Sequence, residues 1–140
     1  MHIVWSPALE TGHRQIDLQH QELVEMLNEL LVALDSGSEF AALNDILPRL
    51  NNYVLFHFGT EEMLMPGLPP ESDHAASHCR AHRDFTARVN ALRIKVASGE
   101  RPDAGPLADF LRNWLIDHIQ QTDRELITLL AAGQPRPLSG

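Results

Sequence analysis

Cysteine occurs once in this chain, at Cys79, so no internal disulfide, no CxxC redox centre and no CxxCH attachment for a c-type haem can form. Positive charge is also scarce: 11 Lys and Arg stand against 19 Asp and Glu, for a net charge of −8. With no basic patch or arm to neutralise phosphates, a nucleic acid or an anionic membrane is not expected as a partner. No apolar run approaches the roughly eighteen residues that a spanning helix needs. The first fifteen residues, MHIVWSPALETGHRQ, carry neither the basic start nor the apolar stretch of a signal peptide. These two absences predict a cytoplasmic protein. Strand-like alternation, internal repeats and low-complexity segments are missing as well. What is present is a 140-residue chain, 44% hydrophobic and 21% charged, with the composition of a soluble globular protein and the size of one domain. Such a chain buries roughly two thirds of its unfolded surface. It also holds eight histidines, and their positions matter more than their number.

Met1 to about Gln15 reads as an irregular arm, broken by Pro7 and Gly12 and anchored on the core by Trp5. A first helix is predicted over Ile16–Leu34, where Leu23, Met26, Leu27, Leu30, Leu31 and Leu34 recur with helical period until Asp35-Ser36-Gly37-Ser38 ends it. A second runs from about Glu39 to Leu64, and Pro48 either kinks it or marks its true first turn. Pro66-Gly67-Leu68-Pro69-Pro70 cannot be helical. Ser72 or Asp73 then caps a third helix that reaches about Ser98 on the stripe Phe85, Val89, Leu92 and Val96. After a turn at Gly99 to Pro102, Asp103 caps a fourth, carried by Leu107, Leu111, Trp114 and Leu115 to about Ala132 and stopped by Gly133. Residues 134–140, with two prolines, are expected to form an extended or disordered tail. Four helices with short connections predict an all-α, up-down-up-down four-helix bundle over residues 16–133, preceded by the arm over residues 1–15.

Within that pattern, His57 and Glu61 stand four apart, one turn on the same helical face, and continue the buried stripe of Leu43, Leu47, Leu50 and Val54. An unpartnered polar group in such a place costs roughly 2–7 kcal/mol. Either a metal ion compensates the pair, or the histidine is a core residue hydrogen-bonded to its glutamate. His20 lies one turn before Leu23, His78 and His82 precede Phe85 on its stripe, and His118 follows Trp114 and Leu115. At about 1.5 Å of rise per residue, Glu61 and His57 lie roughly 6 and 12 Å above the second connection, and His78 and His82 roughly 8 and 14 Å. The same arithmetic puts His20 level with His57, and His118 level with His82. All four helices thus bring polar residues to one slice. His74 shares the face of His78 and His82, but at roughly 2 Å into its helix it falls at the mouth of the bundle and is read as a surface residue. His2 and His13, in the arm, are read as solvated. Asp123 is five residues from His118, about 140° around an ideal helix. It is either a solvent-facing charge or a ligand reaching in from the side, the latter helped if the helix opens as a π-bulge.

Five imidazoles and two carboxylates exceed the needs of one ion and suit two, with the carboxylates bridging and one metal receiving three nitrogens, the other two. Ligand type alone does not name the metal. The segments Ile16-Asp17-Leu18-Gln19-His20, His57 to Glu62, His78-Cys79-Arg80-Ala81-His82 with Phe85, and Trp114-Leu115-Ile116-Asp117-His118 with Asp123 together resemble the four signature segments of the hemerythrin family, most of all its bacterial branch, the bacteriohemerythrins. The likeness spans nearly the whole chain from Trp5. It implies two iron ions under an oxo or hydroxo bridge: His78, His82 and His118 on one, His20 and His57 on the other, Glu61 and Asp123 bridging. It also implies that dioxygen binds reversibly at the iron with fewer histidines. An apolar surround of Leu23, Phe58, Trp114, Leu115 and Ile119 is expected to keep the site dry. The expected role is therefore a non-haem oxygen carrier, store or sensor rather than an enzyme, and sensing would require a separate signalling or oxygen-consuming protein. The competing readings are a di-iron enzyme on the same scaffold, reducing peroxide or nitric oxide, oxidising iron or repairing iron centres, and a bundle stapled by zinc or holding no metal. The proline-rich second connection is longer than the family pattern, and Cys79, on another face, is expected to be an inert thiol.

Overall fold

The structure is a computed structural model and describes residues 3–35, 39–101 and 103–133. His2, the turn at Ser36-Gly37-Ser38, Pro102 and the tail at 134–140 lie outside the described residues. Helix α1 spans Arg14–Asp35, α2 Glu39–Leu64 and α3 His74–Ala97. The fourth helix is built in three parts: α4 over Ala104–Asp117, a π-helical turn over His118–Asp123, and α5 over Arg124–Gly133. No strand occurs among the described residues, and no helix there is long and apolar enough to cross a membrane. The helices run up, down, up, down. Helix α1 packs on α2, α2 on α3, and α1 meets α4 across the bundle. Between α3 and α4, Phe85 stacks on Trp114 with ring centroids 3.9 Å apart, and the Arg88 guanidinium sits 4.0 Å over the Phe110 ring.

The predicted stripes form the core. Leu23, Leu27, Leu30, Leu31 and Leu34 of α1 meet Leu43, Leu47, Leu50 and Val54 of α2, with Phe85, Val89 and Val96 of α3 and Leu107, Leu111 and Leu115 of α4 completing the cluster. Each fully buried leucine stabilises the fold by about 1.5–3 kcal/mol relative to leaving it exposed. Met26, Leu92 and Trp114 are only half-buried. Helix α2 continues through Pro48, so its true first turn is at Glu39 and not at the proline.

Of three details at the helix ends, the first and third differ from expectation and the second selects between the two caps expected. First, α1 begins two residues early, inside the predicted arm, because His13 is its cap: the backbone N–H of Ile16 donates to His13 Nδ1 at 3.3 Å. His13 is therefore a half-buried structural residue and not simply solvated. Just before it, the Asp17 carboxylate accepts from the Thr11 N–H and hydroxyl, both at 2.8 Å, and Gly12 takes φ +93°, which a side chain would disfavour. Second, Ser72 and not Asp73 caps α3, its hydroxyl accepting from the His74 N–H at 3.1 Å. Third, Asp103 stands at the N-cap of α4 without a side-chain cap bond.

The arm is a clasp, but Trp5 is not its deepest anchor. Ile3 and Leu9 are buried, whereas Trp5 is half-buried against the core. Asn28 holds the arm like a backbone partner, accepting from the Ile3 N–H and donating to the Ile3 carbonyl, each at 2.8 Å. At the other end, the Arg124 guanidinium donates to the carbonyls of Ala8 and Glu10. The arm is thereby tied to the residue that follows the π turn.

Candidate metal centre

Each wall of the site follows from the helix it stands on. His20 of α1, His57 and Glu61 of α2, and His78 and His82 of α3 sit at positions that the apolar stripes turn inward. His118 and Asp123 come from the fourth helix, where the π turn replaces i→i+4 with i→i+5 hydrogen bonds, so that residues five apart share a face. The 140° offset of an ideal helix is removed: His118 Nε2 lies 3.2 Å from Asp123 Oδ1. All seven residues are buried, five of them at 0–1% exposure. The structure brings every one of the seven candidates named from the sequence to a single place.

They form two groups that share both carboxylates. Glu61, His78, His82, His118 and Asp123 make one; His20, His57, Glu61 and Asp123 make the other. The carboxylate oxygens divide between them. Glu61 Oε1 faces His82, His78 and His118 at 2.9, 3.3 and 3.6 Å, while Oε2 faces His57 and His20 at 3.4 and 3.6 Å. Asp123 repeats the arrangement, with Oδ1 3.1 Å from His78 and Oδ2 2.8 Å from His20. Despite these short separations, His20 Nδ1 and Nε2, His57 Nε2 and all four carboxylate oxygens make no hydrogen bond. The atoms converge on common points between them and not on one another. Buried polar atoms left unpaired cost roughly 2–7 kcal/mol each, a cost that metal ions held between them would offset. The spacings agree: His118 Nε2 is 3.1 Å from His82 Nε2 and 3.2 Å from His78 Nε2, close to the separation of about 3.0 Å for neighbouring octahedral ligands on bonds of about 2.1 Å.

Charge follows the same layout. Burial would depress His20, but the carboxylates of Asp123 and Glu61 beside it outweigh that and raise the ring to about 9. Against a similar burial penalty, Asp123 and Glu61 raise His118 to about 9. Burial tends to raise Glu61, yet the surrounding imidazoles pull it well below the usual carboxylate range. Against the opposing effect of burial, Asp123 and Glu61 raise the His78 ring as well.

Partners on the far side of the imidazoles fix which nitrogen is free. His57 Nδ1–H donates to Gln19 Oε1 at 2.7 Å, and the Gln19 amide donates in turn to Thr60 Oγ1. His82 Nδ1–H donates to Glu62 Oε2 at 3.0 Å, with Phe58 stacked on the ring at 3.7 Å. His118 lies flat on Trp114. Such contacts orient ligands and leave Nε2 free to bind. Gln19, Thr60 and Glu62 lie within the quoted segments without an assigned role; each is the immediate neighbour of a named ligand, the one available signal.

His74 is a correction. It is buried, at 6% exposure, and not a surface residue. The second connection folds back as a 3-10 turn over Met65–Gly67 against α5, where Gly67 lies so near Leu130 that an added Cβ would come within 3.2 Å. That contact, with Met65 buried, covers the mouth of the bundle. Cys79 is half-buried, with Met65 Sδ 3.5 Å from its sulfur, and burial first and Glu62 second push its thiol up, away from the reactive thiolate.

Beside the cluster lies an apolar cavity of about 20 Å³ lined by Leu23, Leu27, Leu50, Val54, Phe58, Phe85, Leu111, Trp114 and Leu115. Four of the five expected surrounding residues are among these; Ile119 is buried elsewhere in the core.

The family model for the hemerythrin HHE cation binding domain matches residues 11–130. A bacteriohemerythrin of Pseudomonas paraeruginosa (strain DSM 24068 / PA7) is 38% identical over 123 residues, covering 87% of this chain and 77% of that protein. A bacteriohemerythrin of Clostridium acetobutylicum is 29% identical over 128 residues, covering 89% and 98%. A crystal structure of wild-type hemerythrin superposes with a TM-score of 0.80 at 26% identity, covering 92% of this chain and 98% of that one.

Proposed function

Since the chain belongs to the hemerythrin family, we propose that it holds two iron ions in this cluster and uses them to bind dioxygen reversibly, as a carrier, store or sensor. The observation that carries the reading is the division of the carboxylate oxygens: Glu61 Oε1 faces His78, His82 and His118 and its Oε2 faces His20 and His57, while Asp123 Oδ1 faces His78 and His118 and its Oδ2 faces His20. His78, His82 and His118 would hold one ion, His20 and His57 the other, with Glu61 and Asp123 across both. The side of His20 and His57 would then offer an ion fewer protein donors than the side of His78, His82 and His118. When bound, the pair of irons supplies the electrons that a dioxygen molecule needs in order to be held and released.

The chain's own residues govern what else happens there. Neutral imidazoles contribute no negative charge, so five of them with two carboxylates leave the ions less electron-rich than a carboxylate-dominated site would, which disfavours cleavage of an O–O bond. Leu23 and Val54, each one turn from a ligand of the two-histidine side, stand with Phe58 and Leu115 in an apolar wall that keeps water and protons away. The lining of the cavity offers no acid, base or charged group for a substrate. These features support binding over turnover. Transmission of an oxygen signal would require a second protein.

Metal analysis and gas titration test the proposal. Protein purified from iron-fed cells should carry two irons per chain, and the anaerobic reduced form should gain a visible band on addition of dioxygen and lose it when the gas is removed. Fewer than two irons in a properly reconstituted sample refutes the centre. Catalytic consumption of a reductant well beyond the bound iron, without a stable oxygenated band, refutes the carrier reading in favour of an enzyme.

A further inference from the structure

His74 is a buried histidine left over by the seven-residue set. Its Nε2 is 2.8 Å from His78 Nδ1, and its Nδ1 is 3.1 Å from Glu125 Oε1. The two imidazoles meet edge to face, with centroids 4.9 Å apart and planes at 88°. The His74 side chain is 3% exposed and that of Glu125 63%, so three residues form a line from the centre to the surface, crossing from α3 to α5.

Only one arrangement of protons suits this line when His78 faces the centre with a free lone pair on Nε2. His78 must then carry hydrogen on Nδ1 and donate it. His74 Nε2 is the acceptor within reach, which obliges His74 to carry its own hydrogen on Nδ1, and that hydrogen points at a carboxylate. Each bond selects the tautomer of the next. The other oriented ligands take shorter routes: His82 reaches the carboxylate of Glu62 directly, and His57 reaches the neutral amide of Gln19. Among the described residues, His78 alone of the seven reaches a carboxylate through a second imidazole. A charged acceptor at the end of such a chain pulls hydrogen away from each ring and leaves Nε2 of the ligand a stronger donor.

We propose that His74 and Glu125 form a positioning relay that locks the His78 ring and tautomer and strengthens its hold on the metal of the three-histidine side. This rests on the di-iron reading above. Neither residue touches the metal.

The test uses the iron-loaded full chain and follows transfer of iron to a competing chelator together with the midpoint potential. His74→Leu removes the acceptor for His78 and should speed iron release about 10–100-fold, the usual effect of deleting an outer partner of a ligand. Glu125→Ala lies at the surface, leaves the thermal midpoint of the metal-free protein unchanged, and should speed release in the same direction by a smaller factor. Both should raise the potential, because a weaker donor stabilises the oxidised ions less. Wild-type release and potential in Glu125→Ala overturn the relay whether or not His74→Leu folds, as does wild-type release in a folded His74→Leu. Those outcomes leave the centre standing. A wild-type chain that takes up fewer than two irons removes the centre itself, and is recognised before either variant is compared.

Discussion

Removing the metal should make this protein lose stability as the solution turns alkaline, over a window that its imidazoles define. His20 and His118 are each raised from 6.5 to about 9 by Asp123 and Glu61, against the opposing pull of burial. A group whose pKa is higher in the folded state contributes stability that is fully present below its unfolded value, here 6.5, and lost as pH rises through its folded value. Two and a half units at 1.36 kcal/mol each amount to about 3 kcal/mol for one ring. Because both rings draw on the same two carboxylates, the total should fall between about 3 and 6 kcal/mol, a large part of the roughly 5–15 kcal/mol available to a domain. Glu61 and Asp123, both lowered, report the same attraction from the acidic side: their contribution is present above the unfolded carboxylate value and lost as pH falls through the folded one. The metal-free protein should therefore be most stable between the carboxylate range and 6.5. Urea unfolding of chelator-treated protein at pH 6 and pH 9.5 measures the difference, and a fall of less than about 1 kcal/mol would refute the argument. Protein loaded with metal should not show the fall, since ions replace the protons.

Phe58→Ala removes a ring that is 4% exposed and stacked on His82; it should cost about 3–5 kcal/mol in denaturant unfolding and enlarge the adjoining cavity. Asn28→Ala deletes both bonds to Ile3 and should cost about 1–3 kcal/mol, with faster amide exchange confined to the arm. His57→Ala and His118→Ala empty different halves of the donor set, so each should lower the iron content or abolish the oxygenated band; a variant that keeps two irons and the band would exclude that residue from the centre.

How far the site could be read in advance depended on whether local spacing or distant packing placed each residue. His57 with Glu61, and His78 with His82, are four apart, and a regular helix puts such pairs on one face by itself. The common level of the four helices followed from rise per residue alone, and the bundle from the apolar stripes. Asp123 was ambiguous because five residues fit no α-helical face; the π turn that resolves it is held by tertiary contacts, including the arm's carbonyls on Arg124. His74 was misjudged because counting residues along α3 puts it at an open end, and nothing local announces that Met65–Gly67 and α5 fold over that end. His13 was misjudged for a related reason: capping is a property of the turn it joins, and Thr11, Gly12 and Asp17 build that turn together.

The extra residue within His118–Asp123 is taken up by the wider turn, so the helix after it keeps the phase it had before. Deleting Gln121 would let the fourth helix run as an unbroken α-helix, with better backbone geometry throughout. The aspartate would then stand four residues from His118, a spacing that shares a face in a regular helix, so its carboxylate and the Leu126 side chain would still face the interior. A one-residue shortening is thus absorbed at this turn, whereas the same cut elsewhere in the fourth helix would rotate everything beyond it by about 100° and carry inward side chains out of the core.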